Sequence, residues 1–189
     1  MKGVCMKQSF INTATIALWA ALIATGTFIV IPVPGSPVPI VLQNMLAVMA
    51  GMILGPIAGG ASVLLFLVAG ALGLPVFSGA RGGLAILAGP TGGYLFGYLG
   101  GAILAGLIVK KPQSENSCPY WKCALAVLAG MVFIYIPGLI RLSLIFNGDW
   151  VKTLTVGCFP YLIGDGIKAV LVTLITPSIR KFYVSLLQS

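Results

Sequence analysis

The chain has 189 residues, 59% of them hydrophobic and only 7% charged, with a mean hydropathy of +1.08. A water-soluble domain of this size cannot cover its surface with so few polar side chains, so the composition specifies an all-α integral membrane protein. The formal charge of +8 does not point to nucleic acid, because the basic residues form no dense cluster interleaved with aromatics.

Six apolar segments can be drawn, expected to form a single transmembrane domain over residues 1–189. The first, roughly 11–31, follows "MKGVCMKQSF" and resembles a signal peptide at its start, but its run is long enough to span a bilayer and predicts a retained helix. Ala17 with Ala21, and Ala20 with Ala24, form two small-xxx-small pairs on it. They suit either packing inside the chain or docking of another membrane subunit. "PVPGSPVP" is too rich in proline to be helical.

The second segment, 38–54, carries Gln43 and Asn44, whose amides hydrocarbon cannot satisfy. Successive helical residues point about 100° apart, so at most one of the two should face a given pocket. Pro56 and its neighbouring glycines separate this segment from the third, 56–73, predicting a tight helical hairpin. The connection "LPVFSGARGG" contains Arg81, which reads either as an interfacial charge or as a gate or carboxylate clamp.

In the fourth segment, 84–109, Gly89, Gly93, Gly97 and Gly101 recur every four residues, and Gly51, Gly55 and Gly59 bracket the second hairpin. Such faces let helices approach closely. "GPTGGY" suggests exposed backbone amides near a cavity, suited to an anionic or carbonyl group. The fifth and sixth segments, 122–146 and 156–177, are joined by "NGDWVKTLT".

An even number of spans puts both termini on one side. Lys2, Lys7, Lys110, Lys111, Lys122, Arg180 and Lys181 then share a face, against Arg81 and Lys152, with Arg141 near that opposite end. This bias places both termini in the cytoplasm. Cys5, Cys118, Cys123 and Cys158 show no CxxC spacing, and with no histidine in the chain no metal site is expected.

The strongest signal lies in "PYLIGDGIKAVL". Asp165 and Lys168 stand three residues apart on one helix face, each costing about 2.5–3.5 kcal/mol at the centre of a membrane helix. Either they form a structural ion pair, or they line a cavity open to the outer face. In the second case Lys168 donates and Asp165 accepts, matching a neutral amide or urea. A proton relay fits poorly with one carboxylate and no histidine. No phosphate-cradling GxxxxGK[ST] motif, HExxH or G-x-S-x-G is present, and only three acidic residues are available, so neither ATP binding nor catalysis is expected.

Taken together, "IPVPGSPVPIVLQNMLAVMAGMILGPIAGG", "GALGLPVFSGARGG", "LAGPTGGYLFGYLGG" and "PYLIGDGIKAVL" resemble the signature blocks of the BioY proteins, the biotin-binding S-components of energy-coupling factor (ECF) transporters. The resemblance covers nearly the whole chain. It implies a six-helix bundle with biotin near the outer face, capped by the loop between the first two helices. By the same resemblance Asp165 and Lys168 bond the ureido ring, Gln43 matches the family's glutamine, and Tyr94 stacks on or lines the bicyclic ring. Ala17, Ala20, Ala21 and Ala24 match the docking face for the transmembrane T-component, which works with a pair of ATPases. Biotin is then the transported ligand, not a cofactor, and the site is the bacterial cytoplasmic membrane. Val41 stands where relatives often have threonine, and Leu95 where some have an arginine, which leaves Arg81 as the candidate for the valerate carboxylate. The implied cycle closes the outer loop on biotin and tips the subunit to release it inward. The alternatives are a self-sufficient secondary transporter, which would work without ATPases and fail with the ion gradient, and a structural membrane subunit, which would bind no small molecule.

Overall fold

The computed structural model describes residues 2–110 and 118–188, with side chains over 13–110 and 118–186. Lys2, Cys5, Lys7 and Lys111 therefore lie outside the described side chains. The chain runs through α1 (Lys2–Thr25), a 3-10 turn (Gly26–Phe28), β1 (Val30–Ile31), β2 (Ile40–Val41), α2 (Gln43–Leu54), α3 (Pro56–Ala71), α4 (Leu84–Ala88), α5 (Gly92–Val109), α6 (Tyr120–Ile145), α7 (Trp150–Gly157) and α8 (Phe159–Gln188). Each of the six expected segments contains a helix, although β1 falls within the first and β2 within the second. Gly92–Val109, Tyr120–Ile145 and Trp150–Leu186 are long and apolar enough to cross a membrane, whereas Thr13–Phe28, Gln43–Leu54 and Pro56–Ala71 are apolar but shorter.

The departures from the expected spans are local and have physical reasons. The Pro-rich loop is closed at its base by an antiparallel ribbon, Val30 opposite Val41 and Ile31 opposite Ile40, so α2 starts only at Gln43. The fourth segment breaks at Gly89–Pro90, because proline cannot donate into a helical ladder. That puts Gly89 in a turn rather than on the glycine face of α5. "WVKTLTVG" folds as a helix of its own after Asn147 and Gly148 reverse the chain at positive φ. The Asp149 carboxylate caps it, accepting from Lys152 N at 2.9 Å.

Backbone contact organises the bundle. A Cβ on Gly51 would stand 1.9 Å from the Ala102 carbonyl oxygen of α5, and one on Gly59 would stand 2.4 Å from the Cα of Gly51. On the other side of α5, a Cβ on Gly93 would meet the Pro137 oxygen at 2.2 Å and one on Gly97 the Ile134 oxygen at 2.7 Å. No side chain fits at these positions, so α5 sits centrally, pressed against α2, α3 and α6. The outward faces carry large apolar residues. Leu125, Leu128, Val132, Ile136 and Ile140 on α6 are all at least half exposed, the inverse of a soluble helix and the pattern expected against lipid.

At the end carrying Lys110, the buried Arg180 of α8 donates to the Met52 carbonyl and, at 3.1 Å, to the Lys110 carbonyl. These carbonyls sit at the C-termini of α2 and α5, where helix dipoles favour a cation. Arg180 therefore fastens three helices there.

Candidate functional site

At the other end of the bundle two adjoining cavities open beside α2, α5, α6 and α8. They share the walls Val38, Pro39, Val41, Tyr94 and Tyr98. The smaller holds about 40 Å³ and is bordered by Asn44, Tyr135, Tyr161, Asp165 and Lys168. The larger holds about 380 Å³ and is bordered by Gln43, Ser78, Arg81 and the Gly89–Pro90–Thr91 turn, on otherwise mainly apolar walls. A largely apolar hollow with a few convergent polar groups is the form of a small-molecule site.

Asp165 lies six residues into α8, about 9 Å along the helix axis. The chain breaks at Cys158, between α7 and α8, so the last helix begins only at Phe159. Asp165 is 3% exposed. Its Oδ1 accepts from Lys168 Nζ at 2.6 Å and Asn44 Nδ2 at 3.1 Å, while Oδ2 accepts from the Tyr135 hydroxyl at 2.7 Å. Lys168 also donates to the Val41 carbonyl at 2.6 Å. Its third contact, to Asn44 Oδ1 at 3.4 Å, is at the limit of a hydrogen bond.

The pair is thus bonded and borders a void at the same time. Each carboxylate oxygen can accept two hydrogen bonds, so Oδ2, with one donor, keeps an acceptor position. Lys168 has three N–H donors, and only two are well placed on protein acceptors. Within this cluster one acceptor and one donor are left for a guest.

Gln43 and Asn44 divide as helical geometry requires, Asn44 facing the small cavity and Gln43 the large one. Gln43 is fully buried, and its Nε2 donates to the Val76 carbonyl at 2.7 Å and the Ile23 carbonyl at 3.4 Å. Both neighbours are acceptors, which fixes the amide orientation and leaves Oε1 without a partner. The residue therefore ties α1 and the 76–81 loop to α2 at the cavity wall.

Tyr94 lines both cavities. Its hydroxyl donates to the Gly157 carbonyl at 2.8 Å, and its ring packs edge-on against Tyr135. Arg81 is exposed at the rim of the large cavity, apart from the Asp165 cluster. Arg141 donates to the Ala88 carbonyl at the end of α4 and lines neither cavity. The α1 alanines split. Ala17 and Ala21 are exposed, but Ala20 is buried and Ala24 packs against the core, so one of the two pairs is spent inside the bundle.

Sequence reasoning did not single out Tyr135, Tyr98, Tyr161 or Ser36. Tyr135 interrupts "MVFIYIPG" with a hydroxyl, and that was the available signal. Tyr161 and Ser36 hold the Pro-rich loop over the small cavity. Their oxygens lie 2.6 Å apart, Tyr161 donates to the Val38 carbonyl, and Ser36 Oγ is 2.9 Å from the Val156 carbonyl. Among the described residues no group of three or more His, Cys, Asp or Glu converges.

A helical bundle with outward apolar faces, and at one end a largely apolar pocket with a few polar groups, has the form of a membrane protein with a small-molecule-sized cavity. The profile of the BioY family matches residues 5–185, and the chain belongs to that family. Biotin transporter BioY of Thermotoga maritima is 38% identical over 167 residues, covering 88% of this chain and 94% of the relative. Biotin transporter BioY of Rhodobacter capsulatus is 35% identical over 186 residues, covering 93% and 96%. The crystal structure of the S-component for biotin from an ECF-type ABC transporter superposes with a TM-score of 0.84 at 36% identity, over 93% of each chain. The protein is accordingly a multi-pass protein of the cell membrane with the S-component fold.

Proposed function

We propose that the chain captures biotin at the pocket end and delivers it across the cell membrane as the substrate-binding subunit of an ECF-type transporter. The observation that carries this reading is the Asp165–Lys168 pair beside a void, in a family whose relatives are biotin transporters. The ureido carbonyl accepts from Lys168, and a ureido N–H donates to the free position on Asp165 Oδ2. Asn44 and Tyr135 hold the two charges at the required spacing. Tyr94 and Tyr98 flank the bicyclic ring, and the valerate tail runs into the large cavity toward Arg81. Gln43 shapes that cavity and positions its loop, with Oε1 left to face the ligand.

Charge bias places the pocket end outside and the Arg180 end in the cytoplasm. The chain lacks a phosphate-binding loop, so energy comes from a partner ATPase pair through a transmembrane T-component. Ala17 and Ala21 offer that component an exposed small-residue face. Titration calorimetry of the detergent-purified chain with biotin, desthiobiotin and lipoate tests the reading. Biotin and desthiobiotin should bind, whereas lipoate, with the same acid tail but no ureido group, should not. Equal binding of lipoate would remove the role given to Asp165 and Lys168.

A further inference from the structure

One buried polar group in the pocket has no task in the scheme above. The Ser78 hydroxyl oxygen is buried and has no hydrogen-bond partner, yet Ser78 borders the large cavity together with Arg81. A buried hydroxyl left unpaired is costly, and in a native protein it calls for a reason. Looseness is not the reason, because the segment is fastened on every side. Phe77 and Arg81 exchange backbone hydrogen bonds of 2.8 and 3.1 Å, which closes residues 77–81 into a tight hairpin. Thr27, itself buried, donates to the Phe77 carbonyl and accepts from Ala80 N at 3.0 Å, gripping the hairpin at both ends. The Phe77 ring fills the slot beside Gly70, where a Cβ would meet it at 2.1 Å, and packs edge-on against Phe66. Gln43 holds the preceding carbonyl, Val76, at 2.7 Å.

The hairpin is therefore a rigid platform, and its Ser78 and Arg81, one with a neutral donor and one with a cationic one, border the same hollow. Among the described residues no carboxylate borders that cavity; Asp165 lies in the smaller one. Resting on the biotin reading above, we propose that Ser78 is a specificity-determining residue that donates its hydroxyl proton to the carboxylate of the substrate's tail, beside Arg81, and that Thr27 positions the platform. A carboxylate satisfies both groups at once, and a hydrogen bond to an ionised acceptor is of the stronger kind. An uncharged, carboxyl-free tail leaves the hydroxyl orphaned as before.

The test crosses two ligands with four variants of the full chain in detergent, measured by titration calorimetry. The ligands are biotin and its decarboxylated analogue, whose tail ends in a methyl group. Ser78→Ala should weaken biotin about tenfold and the analogue less than about twofold. Thr27→Val should reproduce that ligand dependence, and Thr27→Ser, which keeps the hydroxyl, should restore biotin affinity. Asp165→Asn should weaken both ligands alike. Equal losses for the two ligands in Ser78→Ala would overturn the proposal and leave Ser78 as a wall residue, as would no loss for either. If the parent chain binds neither ligand, the biotin reading itself fails, a result separate from these.

Discussion

The two ends of the bundle are built on opposite principles. At the end carrying Arg180, backbone meets backbone: Gly51, Gly59 and Gly106 bring α2, α3 and α5 so close that a methyl group on any of them would overlap main-chain atoms. At the pocket end α5 still meets the α6 backbone at Gly93 and Gly97, but beside it opens a space bordered by polar residues, two of which, Gln43 and Ser78, each keep a buried oxygen without a protein partner. Helices in lipid associate through close packing rather than through a hydrophobic drive. The closed end thus supplies the cohesion that allows the open end to remain imperfectly satisfied. Stability and binding are thus weighted toward different ends of the molecule, so substitutions should separate them.

The largest effect belongs to the closed end. Gly51→Leu places a side chain where the Ala102 carbonyl stands and should cost about 3 kcal/mol or more. In detergent it should appear as aggregated or unfolded protein by size exclusion and a lowered Tm. A folded Gly51→Leu that lost only ligand binding would break the comparison. Next comes Asp165→Asn, which keeps the shape but removes the charge opposite Lys168. Biotin affinity should fall about a hundredfold by calorimetry while the protein stays monodisperse. Tyr135→Phe removes one hydrogen bond to Asp165 and should weaken biotin about tenfold.

The smallest effect concerns the loop closing the pocket. Ser36→Ala and Tyr161→Phe each remove part of the hydroxyl contact that binds the loop to α7 and α8. Each should speed biotin dissociation about three- to tenfold in a stopped-flow chase and change the association rate much less. A change confined to the association rate would mean the loop is already open when biotin arrives, and the contact would then matter for access rather than retention.

Much of this division could be read from the chain, though unevenly. The helical segments were legible because long apolar runs have few alternatives in a membrane. The glycine spacing pointed to close packing, but Gly89 was counted on a face it does not join, since spacing carries no information about the break at Pro90. Asp165 and Lys168 stood out because an ion in an apolar run is expensive. Tyr135, Tyr161 and Ser36 did not, because a tyrosine counts as greasy and a serine in a proline-rich loop is unremarkable. Their partners lie 30 to 125 residues away. Helix α7 was hidden for a related reason: "NGD" reads as a turn, and it is one, but Asp149 also caps the helix that follows.

Composition and local pattern by themselves determined that this is a membrane bundle, which apolar stretches carry its main helices, and that a charged pair in its last helix calls for an explanation. These are consequences of transfer free energy and periodicity, properties that each segment carries alone. Only the tertiary structure decided that Gln43 spends its amide nitrogen on the backbone while Asn44 reaches Asp165, that one alanine pair of α1 turns inward, and that Ser78 is held unpaired beside Arg81. Those outcomes depend on which helix stands opposite which. That arrangement is set by contacts between residues far apart in the chain, and no single segment encodes it.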